Sequence, residues 1–493
     1  MLGTKVVCEK KNLKSNRSMY IHSAIGIGFM LGFPLLNPIE PITPVGMHIF
    51  AIFIGMVYLW STVNGIWPSI LGLLLIGVSG FAPLKSVALE AFGSDISVVI
   101  MLALVFFAGV EYAGCTEYLA RWFLTRKIIN GKPYVFLFVF FLASYFLSGL
   151  TEPIASLLIL WPITVEFMNE LGIDRKEKVF PITVFGVYFA ATLAQPMFPF
   201  KGAALAIVGT FQKASGLTVN TLSFVLFNII LSLTMIIIFM LLLKFVYKPD
   251  MSKLKNISVE QFQKSPLPPM NLQQKILLLS LFAFIILLLA PSFLPKTWVI
   301  VALLKNIGTL GVTMFCVVVL MVLHVDGKPV LPFKAVAAKS FSWDVYFLVV
   351  AALYGANAVS NDVTGIKAWL IQVLQPLLGD KPILVFVGLL LIFSIITTNF
   401  ANNAGMAIIL IPVIMAFAKQ YPSIGLVGLY MCITMIVFFA LITPAASPYC
   451  GMMHARRDLI DVKDILKMGV PLLIIGLILY VLVGFPLAQI LFS

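Results

Sequence analysis

Glu152 and Lys201 are ionisable residues in otherwise apolar sequence, Glu152 within Ser144–Pro153 (SYFLSGLTEP) and Lys201 within Thr192–Gly202 (TLAQPMFPFKG). A charge in such surroundings is expensive, so it marks an ion or substrate pathway and calls for a partner. The two are expected to face one cavity and to interact. The competing reading has Lys201 snorkelling to an interface and Glu152 in a shallow loop. Asn402 and Asn403 close a third polar stretch, Ser394–Asn403 (SIITTNFANN). Adjacent amides there need hydrogen-bond partners, which either a polar ligand or the first turn of the next helix could supply. The fourth stretch, Thr443–Gly451 (TPAASPYCG), is rich in Pro, Gly and small residues and is expected to be a non-helical turn. This is chemistry for binding. His22, His48, His324 and His454 are dispersed without metal or relay spacing, and the five cysteines form no CxxC. No nucleotide-binding signature, paired carboxylates or nucleophile–base set is present, which argues against an ATP-driven pump and against an enzyme.

Elements of a particular kind must carry these residues. Two of the polar stretches lead directly into apolar helices, Ile154–Met168 and Ala404–Ala418. Free N–H groups at such helix starts favour anions. Unwound backbone at membrane depth is tolerated only where it lines a cavity or is buried in protein. The whole unit is also written twice. Phe92-Gly93-Ser94-Asp95, Lys132-Pro133, Thr151-Glu152-Pro153, Trp161-Pro162 and Pro199-Phe200-Lys201-Gly202 reappear as Phe341-Ser342-Trp343-Asp344, Lys381-Pro382, Ala401-Asn402-Asn403, Ile411-Pro412 and Pro448-Tyr449-Cys450-Gly451. Asp95 and Lys132 stand 37 residues apart, as do Asp344 and Lys381. A duplicated apolar unit with broken segments at matching positions is the pattern of a secondary transporter whose site lies between the repeats. Asp95 and Asp344 read as caps of the spans they precede, and Glu111 lies near the end of its span.

Composition agrees. Of 493 residues 61% are hydrophobic and 11% charged, and stretches such as Met19–Leu36, Ile96–Tyr112, Leu222–Phe245, Ile276–Phe293 and Met468–Phe492 are long enough to cross a bilayer. The fold class is therefore an all-α polytopic membrane protein of two structural repeats, with broken helices and about 11 spans. Inversion of the repeats is expected, because it supplies two related conformations for alternating access. The formal charge of +13 sits in short loops and speaks for positive-inside topology rather than nucleic-acid binding. Residues 1–17 are expected to be a basic cytoplasmic segment, not a cleaved signal. A leading span follows at 18–43, the first repeat at 44–247, a polar cytoplasmic linker at 248–273, and the second leading span with the second repeat at 274–493. Thr116–Lys127 and Asp362–Leu374 are amphipathic and are expected along the membrane surface, or else as frayed ends of the preceding helices.

This order of parts, from about residue 45 to the end, resembles the divalent anion:sodium symporter family, which includes citrate, C4-dicarboxylate and sulfate carriers. The resemblance implies two re-entrant hairpins, elevator-type movement of a hairpin-bearing domain against a scaffold, a homodimer formed through that scaffold, and a cell (plasma or inner) membrane location. Family members carry Ser-Asn-Thr at each hairpin tip. Here the triplets beginning ten residues before Pro412 and Pro162 are Asn402-Asn403-Ala404 and Glu152-Pro153-Ile154, so both motifs are lost. Carried over residue by residue, the substrate is expected at Thr151, Glu152, Lys201, Asn402, Asn403, Ser447 and Pro448. The half-two sodium site falls on Thr398, Ala401, Asn403 and Ala446. In half one Ser148 survives, but Pro153 and Met197-Phe198-Pro199 replace the family's oxygen-bearing residues, so that site looks broken. Two residues beyond that turn stands Lys201, whose ammonium is expected to replace the lost sodium with Glu152 as counter-charge. Alternatively, Lys201 or Glu152 carries a proton. The resulting expectation is a secondary transporter of a small anion, di- or tricarboxylate-like or inorganic, coupled to sodium, with no cofactor beyond a coupling sodium ion or proton. A proton-coupled carrier or cation/proton antiporter, and a receptor or scaffold that has lost transport, remain the alternatives.

Overall fold

The computed structural model describes residues 18–124, 130–256, 269–295, 297–400, 403–417, 420–444 and 446–493. Ala401 and Asn402 lie outside them, as does the N-terminal basic segment. The described chain is almost wholly helical; the strands found there are the two-residue pair His324–Val325 and Lys328–Pro329. Nine described helices are long and apolar enough to span a membrane: Ser18–Leu35, Pro44–Thr62, Asp95–Tyr112, Pro133–Leu150, Thr221–Tyr247, Leu272–Phe293, Val299–Val322, Trp343–Ser360 and Val462–Leu491. Ile366–Leu378 and Ile383–Thr398, bent by 114° at their junction, would count as a tenth. Ile66–Val78, Val179–Leu193, Asn403–Phe417 and Leu426–Ile436 are shorter apolar helices. Exposed Leu279, Ile286, Phe315, Leu482 and Ile490 on the long spans form the kind of apolar surface that lipid covers.

Helix starts are set locally. Pro133, Pro153 and Pro448 each occupy a first-turn position, where the missing N–H costs nothing and φ is already helical. Asn271 and Gln274 form a reciprocal capping box at the start of Leu272–Phe293. Pro162 and Pro412 lie inside their helices, a placement tolerated where neighbouring helices can satisfy the freed carbonyl.

The repeat is visible in how the halves clasp. Ile66–Val78 and Leu84–Phe92 of the first half pack on Trp343–Ser360 of the second, while Val299–Val322 and Phe333–Lys339 of the second half pack on Asp95–Tyr112 of the first. Each half thus supplies leading helices to the other. Within each repeat follow a short amphipathic helix (Cys115–Leu124; Ile366–Leu378), a hairpin (Pro133–Leu150 with Pro153–Glu170; Ile383–Thr398 with Asn403–Phe417), a broken span (Val179–Leu193 with Gly202–Ser215; Leu426–Ile436 with Pro448–Ala455) and a long final span. Cys115–Leu124 packs on the first hairpin and Ile366–Leu378 on the second.

Three details depart from the sequence reading. The hairpin breaks are shorter than their polar stretches, because helix continues to Leu150 in the first hairpin and to Thr398 in the second. The break in the second broken span is longer, for the chain leaves helix after Ile436 and re-enters it only at Pro448. Asp344 does not cap its own helix: its carboxylate accepts from the Gly65 N–H at 2.9 Å and so caps Ile66–Val78 of the other half. Ser94, not Asp95, caps Asp95–Tyr112, accepting from the Ser97 N–H at 3.2 Å.

Candidate functional site

Four helix starts converge on one cavity of about 360 Å³. They are Glu152–Ala155 from the first hairpin, Lys201–Ala203 from the first broken span, Asn403 and Ala404 from the second hairpin, and Ser447–Tyr449 from the second broken span. Each half contributes one hairpin tip and one facing turn. Orphan N–H groups of first turns carry partial positive charge, so four such ends around one space favour an anionic group. The structure brings together Glu152, Lys201, Asn403, Ala446, Ser447 and Pro448 on this wall.

Lys201 is only 3% exposed. Its ammonium donates to the carbonyls of Ser148 and Gly149, both at 2.9 Å, and lies 5.4 Å from the centre of the Phe107 ring. Those carbonyls belong to the last turn of Pro133–Leu150, where helix carbonyls lack intrahelical partners and the dipole favours a cation. The approach needs two glycines. A side chain on Gly149 would collide with the Met197 thioether, and Gly202, directly after Lys201, has a left-handed φ of 49°. Lys201 is therefore not ion-paired with Glu152: the two share the cavity without a contact within 4.0 Å. No described group donates a hydrogen bond to the Glu152 carboxylate, which occupies the N-cap position of Pro153–Glu170. The Ser148 hydroxyl, beside the bonded carbonyls, is buried without a hydrogen-bond partner among the described residues.

The matching place in half two is built from oxygen. Thr398 Oγ1 lies 3.0 Å from Asn403 Oδ1 and makes a short hydrogen bond to the Val437 carbonyl. Next to it, Asn399 organises the long non-helical segment. Its amide donates to the carbonyls of Ile395 (2.7 Å) and Phe439 (2.9 Å) and accepts from the N–H groups of Leu441 (2.9 Å) and Ile442 (3.1 Å). The Thr443 hydroxyl closes the turn on the Asn399 carbonyl. Buried backbone that has left its helix must find such partners, and one asparagine supplies three of them, to Phe439, Leu441 and Ile442.

Thr151 is placed differently from the expectation. It is fully buried, its hydroxyl donates to the Leu147 carbonyl at 2.7 Å, and it does not line the cavity. Ser148 and Thr398 likewise lie behind the wall. Glu111, Gln195, Lys339 and Tyr449 line the cavity without having been singled out for it. Glu111 reads in sequence as a span end, and Lys339 belongs to a short helix supplied by the other half. Gln195 Nε2 donates to the Tyr449 hydroxyl at 2.7 Å, and the Tyr188 hydroxyl donates to the Ala440 carbonyl at 2.7 Å, so two bonds tie the broken spans of the two halves together.

Two clasped repeats, each presenting a hairpin and a broken span to one charged cavity, define a multispan membrane transporter. The family model described as the sodium:sulfate symporter transmembrane region matches residues 18–493, and the chain belongs to that family. It is a family of transporters, not of enzymes. The crystal structure of the YdaH transporter from Alcanivorax borkumensis, described as having an unusual topology, is similar at a TM-score of 0.57 and 13% identity, over 90% of this chain and 98% of that one. That likeness is one of fold. No curated protein sequence matches the chain.

Proposed function

We propose that this protein is a sodium-coupled secondary transporter of a small molecule bearing a carboxylate or another oxyanion. The observation that carries the reading is the convergence of four helix starts on one cavity between the repeats. The coupling sodium ion is taken up at the half-two oxygens, Thr398 Oγ1, Asn403 Oδ1 and the Val437 carbonyl. A hard cation prefers such oxygen ligands. In half one the Lys201 ammonium stands on the carbonyls of Ser148 and Gly149 and substitutes for an ion, which reduces the number of sodium ions moved. Transport carries the hairpins and broken spans as a unit against the long spans, in a homodimer held through those spans, with the N-terminus in the cytoplasm of a plasma- or inner-membrane protein. A proton-coupled carrier is the second reading, favoured by the two carboxylates, Glu111 and Glu152, that line the cavity.

Thermal unfolding of the purified protein with succinate, citrate, sulfate and short monocarboxylates, each in sodium and in choline, tests this, because a ligand bound to the folded state raises its apparent stability by mass action. Stabilisation by an oxyanion in sodium alone is the expected result. Equal stabilisation in both salts would transfer the argument to protons.

A further inference from the structure

The two hairpin tips differ in charge. At the second tip Asn403 presents an amide, and the first turn of Asn403–Phe417 holds no acidic residue. At the first tip the N-cap position of Pro153–Glu170 is held by Glu152, where a carboxylate charge opposes that helix dipole without a capping hydrogen bond. Glu111 adds a second carboxylate to the cavity. Lys201 cannot neutralise them by contact, because its ammonium is committed to the carbonyls of Ser148 and Gly149. The other lysine on the wall, Lys339, rests over the Tyr112 ring at 5.9 Å. Gln195 adds an acceptor to this side, since its buried Oε1 has no hydrogen-bond partner among the described residues. Among the described residues, the half-one side of the cavity therefore offers acceptors that lack donors, and the half-two side offers a helix start without an acidic residue in its first turn.

From this asymmetry we infer that the cargo is amphoteric: a small molecule whose carboxylate sits at the Asn403 and Ser447 helix starts and whose ammonium group meets Glu152. The inference rests on the cavity being the transport site. A dicarboxylate fits poorly, because its second charge would face the carboxylates of Glu111 and Glu152, and like charges repel. An ammonium supplies both the positive charge and the three N–H donors that Glu152 and Gln195 lack.

The test is thermal unfolding in sodium with glycine, L-alanine, 4-aminobutyrate and 5-aminovalerate, set against the charge-changed matches butyrate, succinate, glutarate and 4-acetamidobutyrate, and against sulfate. At least one amphoteric probe is expected to stabilise the wild type, and its dicarboxylate match is expected not to. Glu152→Gln should weaken that binding by ~10- to 100-fold, the range for losing a hydrogen bond to a charged group. Should Glu152→Gln fold poorly, 4-acetamidobutyrate carries the test on the wild type, since acylation removes the ammonium and should abolish binding of the four-carbon probe. Stabilisation by succinate, glutarate or sulfate above every amphoteric probe would overturn the inference and leave the oxyanion transporter standing. Unchanged affinity in Glu152→Gln would overturn it as well. Absence of any shift, with every probe, would remove both the inference and the transport-site reading beneath it.

Discussion

Replacing Lys201 by methionine isolates what its ammonium does. The methionine keeps an unbranched stem of similar reach, so the packing around Phe107 changes little. What disappears is one charge and two hydrogen bonds at 2.9 Å, to the carbonyls of Ser148 and Gly149. Each carbonyl left buried and unpaired costs ~1–3 kcal/mol, so the pair sets a loss of ~2–6 kcal/mol, with the lower end applying if water reaches the hairpin tip. The assay is unfolding of the purified protein by denaturant or heat, wild type against variant, in sodium and in choline. A clear loss of stability in choline is expected. The companion Lys201→Ala clears space beside the two carbonyls and the unpartnered Ser148 hydroxyl, a set of three oxygens. In that variant sodium should recover more stability than it does in the wild type, since the ion can occupy the place of the ammonium. Transport by either variant should be lost or reduced at every pH. Unchanged stability of Lys201→Met in choline would refute the argument. A wild-type pH dependence that vanishes in both variants would instead make Lys201 a proton carrier.

Other expectations follow from single contacts. Asn399→Ala removes four hydrogen bonds, three of which hold the non-helical backbone before Pro448, and the net loss, at ~0.5–1.5 kcal/mol per bond, is ~2–6 kcal/mol, measurable as a lower unfolding midpoint. Asn228→Leu should destabilise by ~1–3 kcal/mol, because it removes the acceptor to which the Tyr145 hydroxyl donates at 2.6 Å in a buried position. At the exposed loop after Pro153–Glu170, the Lys253 ammonium donates to Glu177 at 2.6 Å and holds that carboxyl below its ordinary range. A carboxyl whose folded-state value is depressed contributes fully above the ordinary range, near ~4.3, and loses its contribution as pH falls through the folded value. Acid should therefore raise proteolysis around Lys253 in the wild type, and Glu177→Gln should show the raised level already at neutral pH.

Much of this architecture is legible in the chain because breaks in membrane helices need Pro, Gly and small polar residues, and those recur about 250 residues apart. Glu152, Lys201, Asn403, Ser447 and Pro448 stand out for that reason, and all five line the cavity. The segment from Val437 to Ile442 does not stand out. It is apolar and reads as continuous helix, and what releases it is the Asn399 side chain of another element. Lys339 does not stand out for a different reason: its helix, Phe333–Lys339, packs on Asp95–Tyr112 of the other half, a contact between distant parts that no local pattern encodes, while Glu111 reads only as the end of its span. Thr151 is expected in the site from the family resemblance, yet its hydroxyl turns back to satisfy a helix carbonyl, a local alternative open to any threonine at a helix end.

The central claim is that one half holds the coupling ion and the other holds a tethered ammonium in its place. Sodium titration of cargo uptake into proteoliposomes tests it most directly, once a stabilising cargo has been found. The account predicts a dependence with a Hill coefficient of ~1, since cooperativity cannot exceed the number of coupled sites, and loss of that dependence in Asn403→Ala. A coefficient clearly above that value, or sodium dependence that survives Asn403→Ala, would contradict it.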